Sequence, residues 1–377
     1  MSEIKVNSIK GVGASAAAIT VNNTDGTCTD NITNNLSNRN MVINGGMICS
    51  QRGSSFASIT NAYCLDRFKF RNSNGISGTF TVSQSTDTPD GFGNSLKVDV
   101  GTADAAIAAG EVFNIGTKFE GQNLQQLAKG TSSAKKSVLS FYVKTNKTGQ
   151  YSVLIYDGDN SRMFSTTYTV SNTNWNRYTI DVAADTTGAY NNDNGASLEI
   201  YWYLGLGSDR TSAGVTNAWA AYASASVGSA SQVNFADSTS NEFYITGIQY
   251  EVNESGVATD FEHRSLAVEK KLCERYFTVL NSFSGIASAA DQFQGPLSYD
   301  MRATPSVALS PSGQARITDC AFSDFDASTV SALNSYNATS TGLRIAVTGF
   351  SGMSVQKPMV WLPTGTNQSD VHLSAEL

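Results

Sequence analysis

The chain has 377 residues, of which 15% are charged, and it carries a formal net charge of -7 at pH 7. That length excludes a disulfide-stapled mini-protein, because it provides enough chain to bury a sizeable core. The excess of acidic residues argues against a basic stripe that could follow a phosphate backbone, so we expect no nucleic-acid partner. Soluble domains are ordinarily about 25% charged. The low charged fraction here, with abundant small polar residues, favours an all-β protein.

The N-terminus and the cysteines suggest a protein made in a reducing cytoplasm. Residues 1–5 lack the basic and apolar regions of a secretory signal peptide. No apolar run approaches the roughly 18 residues that a membrane span needs, so we expect no membrane insertion. The cysteines are widely spaced and form no Cys-x-x-Cys pair, which predicts free, mostly buried thiols; they are Cys28, Cys49, Cys64, Cys273 and Cys320.

Residues 1–40 are predicted to form an extended N-terminal arm. Residues 12–18 are small and featureless, and residues 22–26 have the composition of a turn. Such a segment cannot bury a core of its own. We therefore expect the arm to be ordered only against sister subunits or another protein.

Residues 41–262 are predicted to form a central jelly-roll β-sandwich. Short apolar alternations are separated by turns roughly every ten residues, at 78–82, 95–100, 137–144, 151–156, 168–171, 177–182, 197–204 and 242–252. Side chains alternate across a sheet. Trp202 and Phe141 should therefore point into the core, and Tyr201, Tyr203 and Tyr142 away from it. The apolar parity changes at Gly247, which predicts a β-bulge.

Residues 263–276 are predicted to form a linking helix, followed by a smaller C-terminal β-sandwich domain at 277–377. Ser265 can serve as the N-cap, and Val268, Leu272 and Tyr276 recur at helical spacing as an apolar stripe. The later strands are expected at 277–286, 306–310, 315–320, 342–347, 359–362 and 371–377, and Trp361 follows the core parity of this domain.

The sequence offers little for catalysis, which predicts a non-enzymatic protein without a cofactor. Histidine occurs only at His263 and His372, and the nucleophile-elbow, zinc-protease and phosphate-loop motifs are all missing from the sequence. Residues 157–160 lie between two predicted strands, which favours a hairpin turn. Asp157 and Asp159 are the candidates for a structural calcium ion.

Three stretches of sequence carry a resemblance to a known family. The first comprises residues 38–47, 51–55 and 63–68 (NRNMVINGGM, QRGSS and YCLDRF), and the second comprises 243–251 and 258–264 (FYITGIQYE and ATDFEHR). The third comprises 272–277 and 301–305 (LCERYF and MRATP). In order and spacing they resemble bacteriophage tail fibre and virion structural proteins, especially of marine and cyanobacterial phages, with a carbohydrate-binding-module-like jelly roll. Within these motifs, Arg67 and Arg264 are expected to pin the start and end of the jelly roll.

The resemblance implies a phage tail fibre or adhesin located in the virion after synthesis in the host cytoplasm. It implies a homotrimer whose arm attaches to another virion protein, of the tail or an adaptor, and whose β domains contact a host cell-surface glycan or receptor. The alternative is a capsid decoration or head-fibre protein with no receptor-binding role. A depolymerase fits less well, because the strands are short and show no repeats of the β-helix kind.

If the jelly roll binds sugar, the outward tyrosines are the candidate platform, namely Tyr142, Tyr201, Tyr203 and Tyr244. Tyrosine offers a flat apolar face and a hydroxyl group, which suits a pyranose ring. The alternative is that these rings form cross-strand pairs or pack against a neighbouring subunit. Trp175 and Trp219 are further candidates, whereas Trp202 is expected in the core.

Overall fold

The computed structural model describes residues 8–9, 19–21, 28–30, 38–73, 75–310, 313–362 and 369–377, and it is an all-β protein with one α-helix among these residues. The strands of the arm and central domain are β1 Ser8–Ile9, β2 Ile19–Val21, β3 Cys28–Asp30, β4 Ser55–Phe56, β5 Ala62–Tyr63, β6 Lys69–Ser73, β7 Thr79–Ser85, β8 Ser95–Thr102, β9 Val112–Glu120, β10 Ser137–Thr145, β11 Gly149–Asp157, β12 Arg162–Val170, β13 Asn176–Val182, β14 Ala196–Leu206, β15 Ala220–Ala221 and β16 Glu242–Val252. The helix α1 is Leu266–Glu274. It precedes β17 Phe277–Leu280, β18 Phe283–Ala289, β19 Gln292–Ser298, β20 Ser306–Ser310, β21 Ala315–Asp319, β22 Asp324–Ala327, β23 Ala332–Tyr336, β24 Gly342–Thr348, β25 Pro358–Trp361 and β26 Asp370–Ser374. Three-residue 3₁₀ helices lie at Gly121–Asn123, Gln125–Leu127, Ser208–Arg210, Ser224–Ser226 and Phe235–Asp237.

The central domain is a sandwich of two antiparallel sheets, as the sequence predicted. One sheet has the strand order β13-β10-β16-β8-β7-β4, and the other has the order β15-β12-β11-β14-β9-β6-β5. The core lies between them and includes Trp202 and Phe141, both fully buried. Alternation along each strand places one set of side chains in this core and the other set on an outer face. All of the predicted strands of this domain overlap observed ones, but the longer strands β6 and β9 and the two-residue strands β4, β5 and β15 were missed.

The β-bulge predicted at Gly247 is present and shapes the central strand β16. Opposite β10, the register shifts between Ser140, which pairs with Gln249, and Tyr142, which pairs with Thr246. Gly247 has a φ of 62°, a left-handed conformation that L-residues disfavour. The extra residue changes the strand's parity, so Ile245 and Ile248 both reach the core.

The helix α1 forms as predicted, with Ser265 as the N-cap that accepts from the backbone N–H of Val268. The predicted apolar stripe is wrong at Val268, which is exposed. The buried helix residues are Glu269 and Cys273 instead. Glu269 accepts a hydrogen bond from the backbone N–H of Asn44. The helix therefore packs through a partnered carboxylate that a search for apolar periodicity does not detect.

The C-terminal domain contains a three-stranded sheet, β17-β26-β20, and a seven-stranded sheet, β22-β21-β25-β18-β19-β24-β23. Its own core includes the fully buried Trp361, as predicted from parity, and Phe293. The single strand expected at 277–286 is two strands in different sheets, β17 and β18. The sequence also missed β19, β22 and β23.

Charged side chains join the central and C-terminal domains. Glu120, at the end of β9, is completely buried and accepts from Arg275 at 2.8 and 2.7 Å and from the Tyr276 hydroxyl at 2.5 Å. Arg67 forms an ion pair with Glu376 and donates to the Lys118 carbonyl at 2.6 Å. These contacts hold the chain end and the start of the jelly roll together.

Arg264 fixes the other end of the jelly roll, in line with the sequence expectation. Its guanidinium donates to the Val42 carbonyl at 3.1 Å and to the Asn40 carbonyl. In the predicted arm, β1, β2 and β3 pair as an antiparallel sheet, and most of residues 1–37 lie outside the described residues. Within the described ranges, no helix is long and apolar enough to cross a membrane.

Candidate functional site

A cleft of about 500 Å³ lies on the outer face of the seven-stranded sheet of the jelly roll. Its floor is formed by the neighbouring strands β6, β9, β14 and β11, whose outward side chains point away from the core. The size falls within the range of about 300–1,000 Å³ that is typical of small-ligand sites.

Tyrosine rings form one part of the cleft. Tyr201 and Tyr203 alternate with core residues along β14 and lie on its outward face, with ring centroids 6.3 Å apart. Both are buried there, 5% and 6% exposed, in a second apolar cluster outside the main core. Tyr201 pairs with Gly116 of β9, where a Cβ atom would lie 2.5 Å from the tyrosine ring. Gly116 therefore allows the ring of Tyr201 to lie flat against β9. Tyr156 and Tyr222 form an adjoining wall, with ring centroids 5.3 Å apart in an edge-on arrangement.

Basic side chains line the rest of the cleft. Lys69 and Arg71 project from β6, Lys118 from β9, and Arg210 from the 3₁₀ helix after β14. Among the described lining residues, Glu199 is the one carboxylate; it lies 3.0 Å from the Lys118 ammonium and accepts from the Tyr201 hydroxyl.

These groups perturb one another's protonation. Burial lowers the pKa of Lys69, and the neighbouring positive charges of Arg71 and Lys118 lower it further. Burial raises the pKa of the Tyr203 hydroxyl, which therefore stays protonated at neutral pH. The cleft thus offers cationic and neutral hydrogen-bond donors.

Asn114 adds an unsatisfied acceptor to the floor. It pairs across the sheet with Arg71 on one side and Tyr203 on the other. Its side chain is buried, and its Oδ1 atom has no hydrogen-bond partner among the described residues. A buried acceptor without a partner costs free energy, so Asn114 is a locally destabilising element of the floor.

The four tyrosines predicted as a platform do not form one surface. Tyr201 and Tyr203 share the cleft, whereas Tyr142 and Tyr244 lie on the opposite sheet, on β10 and β16. Tyr142 packs against Phe92, with ring centroids 5.3 Å apart. Tyr244 is buried and donates to Glu242 at 3.1 Å. Parity predicts which face of a strand a residue occupies, but it does not assign strands to sheets.

The other aromatic candidates have structural partners. Trp175 donates to Asp87 at 3.0 Å on the sheet opposite the cleft. Trp219 donates to the Ala183 carbonyl at 2.9 Å and packs against Phe164. Trp202 is in the core, as predicted.

The predicted hairpin turn at residues 157–160 is confirmed by the pairing of Asp157 with Arg162. The buried carboxylate of Asp157 accepts from Lys129 at 2.6 Å, so the cation that it binds here is an ammonium group. Asp159 instead accepts from the Asn191 side chain at 3.0 Å. Within the ranges the structure describes, no group of three or more His, Cys, Asp or Glu side chains is arranged to hold a metal ion.

Several cleft residues were missed by sequence reasoning, chiefly Lys69, Arg71, Asn114, Lys118 and Arg210. All of these except Arg210 lie on β6 and β9. Those two strands mix charged, amide and apolar residues, so they lack the clean alternation used to find the other strands. The signal that could have found them is a basic pair at i, i+2 in a strand, since Lys69 and Arg71 must then share one face.

No family model matches the chain, and no curated protein matches it. Some solved structures match part of it. The enzymatically active domain of bacteriophage CBA120 tailspike protein 4 aligns with a TM-score of 0.30 and 12% identity, over 57% of this chain and 21% of that one. The family 22 carbohydrate-binding module of Clostridium thermocellum Xyn10B aligns with a TM-score of 0.28 and 12% identity, over 55% and 98%. The family 11 module of Clostridium thermocellum Lic26A-Cel5E aligns with a TM-score of 0.26 and 11% identity, over 56% and 100%. At these scores, the function of this chain has to be argued from its own residues.

Proposed function

We propose that the protein is a non-enzymatic adhesin whose jelly roll binds a saccharide in the cleft on its seven-stranded sheet. The observation that carries the proposal is the combination of tyrosine rings and hydrogen-bonding side chains on one concave surface of about 500 Å³. Sugar rings have apolar faces and hydroxyl edges. The partly exposed rings of Tyr156 and Tyr222 suit the former, and the side chains of Lys118 and Arg210 suit the latter.

The lining favours binding over hydrolysis. Glycosidases ordinarily use two carboxyl groups, one as acid and one as base or nucleophile. Of the described side chains that line the cleft, only Glu199 is a carboxylate, and Lys118 and Tyr201 already engage it. A second acid for that chemistry is therefore missing from this surface.

We further propose that the protein acts in a phage virion as a homotrimeric tail fibre, with the arm attached to another virion protein and the β domains facing the host. The support for this is the order and spacing of the sequence motifs at 38–68, 243–264 and 272–305. Three identical clefts on one particle would bind a repetitive surface glycan far more tightly than one cleft, because the later binding events are intramolecular.

A glycan array with the purified full-length chain tests the binding proposal. We expect binding to a restricted set of saccharides, and loss of at least about tenfold in affinity for Tyr222→Ala, which is the magnitude of about 1.4 kcal/mol for one lost aromatic contact. Tyr222 is 41% exposed, so its truncation should not unfold the domain. Tyr336→Ala, equally exposed in the C-terminal domain, is the matched control.

Two results would contradict the proposal. The first is that the wild-type chain binds none of the saccharides, and the second is that Tyr222→Ala and Tyr336→Ala bind like wild type. Light scattering of the eluting full-length chain tests the trimer separately, and a monomer at every concentration would argue for a decoration protein or for assembly only on the virion.

A further inference from the structure

We propose that the saccharide bound in the cleft is acidic, carrying a carboxylate or sulfate group that is recognised by Arg71 and Lys69. This inference rests on the proposed saccharide-binding function and specifies its ligand class. Three observations carry it. The cleft has an excess of positive charge, Lys69 and Arg71 have no ion-pair partner in the described structure, and both residues lie beside the tyrosines.

The charge of the cleft is opposite to that of the protein. Four cationic side chains line it, and one anionic side chain, Glu199, accompanies them within the described lining. The whole chain has 32 acidic and 25 basic residues. A local excess of positive charge on an acidic protein attracts anions and has little effect on neutral molecules, so it acts on the charged part of a ligand.

Two cations of the cleft, Lys69 and Arg71, lack the carboxylate partners that similar residues have elsewhere, whereas Lys118 pairs with Glu199 at 3.0 Å. On the opposite sheet, Lys97 lies 2.8 Å from both Asp99 and Glu242, and Lys144 lies 2.6 Å from Asp87. In the described structure, Lys69 and Arg71 have no such ion pair.

Both side chains lie near aromatic rings. Arg71 lies over the ring of Tyr201 at 5.1 Å, and Lys69 lies 5.5 Å from the ring of Tyr63. Arg210 donates to the Tyr222 hydroxyl at 3.2 Å. Cation–π contacts orient these groups without neutralising their charge, so an incoming anion meets cations that are already positioned.

The sheet register places the basic residues beside the tyrosines. Arg71 pairs with Asn114, which pairs with Tyr203. Strands lie about 4.8 Å apart, so the backbones of Arg71 and Tyr203 are about 10 Å apart. A sugar ring bound in the cleft can therefore direct an acidic substituent towards β6.

The protonation of the cleft agrees with this arrangement. The pKa of Lys69 is lowered by burial and by the positive charges of Arg71 and Lys118. Even so, a lysine remains largely cationic at neutral pH unless its pKa falls by several units. Glu199 offsets only part of the repulsion among these like charges, and a carboxylate or sulfate bound beside Lys69 and Arg71 would offset more of it.

Calorimetric titration of the full-length chain with matched oligosaccharides tests the inference. The probes are oligomers of galacturonic acid, the same oligomers with methyl-esterified carboxyl groups, a sulfated galactan oligosaccharide and its desulfated form. We expect one or both acidic members to bind at least about tenfold more tightly than the neutral counterpart, and which pair shows the difference identifies the acidic group. Sodium sulfate alone should compete only weakly, because it makes no contact with the tyrosines.

The variant Lys69→Gln/Arg71→Gln should weaken acidic oligosaccharides at least about tenfold and leave neutral ones within about twofold. Lys271→Gln/Lys270→Gln, with the same charge change on the exposed face of α1, is the matched control and should keep wild-type affinity. Affinity for the acidic oligosaccharides should also fall less with rising salt in the cleft variant than in the control.

The outcomes separate this inference from the proposed function. Equal affinity for acidic and neutral members of both pairs, with binding still lost in Tyr222→Ala, would overturn the acidic ligand and leave saccharide binding in place. Equal weakening of acidic probes by the cleft variant and the α1 control would also overturn it, since the effect would then come from net charge. If none of these probes and no saccharide on the array binds, both fail.

Discussion

Replacing Gly247 by alanine should destabilise the jelly roll by about 2–5 kcal/mol. Two costs add at this position. The φ of 62° is left-handed, which costs an L-residue roughly 1–2 kcal/mol. The new Cβ would lie 2.7 Å from Phe92 and 2.8 Å from Tyr142, and such overpacking costs roughly 1–3 kcal/mol. Both rings are packed against each other, so neither can move away freely.

Gly214→Ala is the matched control, because Gly214 has a φ of 73° but no atom within 4 Å of the place that a Cβ atom would occupy. It should lose only about 1–2 kcal/mol. The assay is urea unfolding followed by circular dichroism, comparing the midpoint of the same transition in both variants. Equal losses for the two variants would refute the packing argument, and no loss for either would also refute the assigned left-handed conformation.

Three further predictions follow from buried polar groups and thiols. Burial raises the pKa of Glu120, but hydrogen bonds from Arg275 and Tyr276 outweigh burial and hold the pKa below its ordinary value. The ionised Glu120 side chain therefore stabilises the folded protein fully at a pH above its pKa in the unfolded chain, and this stabilisation is lost as the pH falls through its lower pKa in the folded protein. Glu120→Gln should accordingly lower the free energy of unfolding by about 2–3 kcal/mol near pH 7. As the pH is lowered, the stability of this variant should fall less than that of wild type, which urea midpoints measured against pH would check. Lys129→Met leaves Asp157 buried without its 2.6 Å ammonium partner and should cost about 3–5 kcal/mol by the same assay, whereas Lys136→Met, at an exposed pair, should cost less than about 1 kcal/mol. Cys320 is exposed and should react with a thiol reagent in the native protein, whereas Cys64, whose pKa burial raises to about 12, should stay unlabelled in peptide mass spectrometry until the chain is unfolded.

The sequence was sufficient for the fold class because the core strands alternate cleanly. Parity alone placed Trp202 and Trp361 in the two cores, and the change of parity at Gly247 located the bulge. It was not sufficient for α1, where one of the buried positions is occupied by Glu269. This residue accepts from the Asn44 N–H, which lies 225 residues away in the sequence, and also lies 3.5 Å from the Arg264 guanidinium.

The cleft could not be predicted because it depends on which strands are neighbours. Tyr201 and Tyr142 have the same outward parity, yet they lie on opposite sheets. Lys69 and Tyr201 are far apart in sequence and are brought together because both pair with Gly116 of β9. Local pattern determines the face of a strand, whereas long-range pairing determines which side chains share a surface.

Strand β9 contributes to both the cleft and the junction between the domains, and this raises the question of whether the two are coupled. Lys118 faces the cleft, and Glu120, two residues later, binds Arg275 next to the C-terminal domain. However, β9 is paired with β14 from Val112 to Glu120 on one side, and with β6 from Val112 to Gly116 on the other. That pairing should hold its cleft residues in place even when the junction is weakened.

We therefore expect Arg275→Gln to lower the stability of the full-length chain by about 1–3 kcal/mol, because it leaves the buried Glu120 with fewer charged donors. The same variant should keep saccharide affinity within about twofold of wild type. Calorimetric titration and urea unfolding on one preparation would measure both quantities. A parallel loss of affinity and stability would instead mean that the position of β9 in the sheet depends on the junction, and that contact between the domains is part of the binding site.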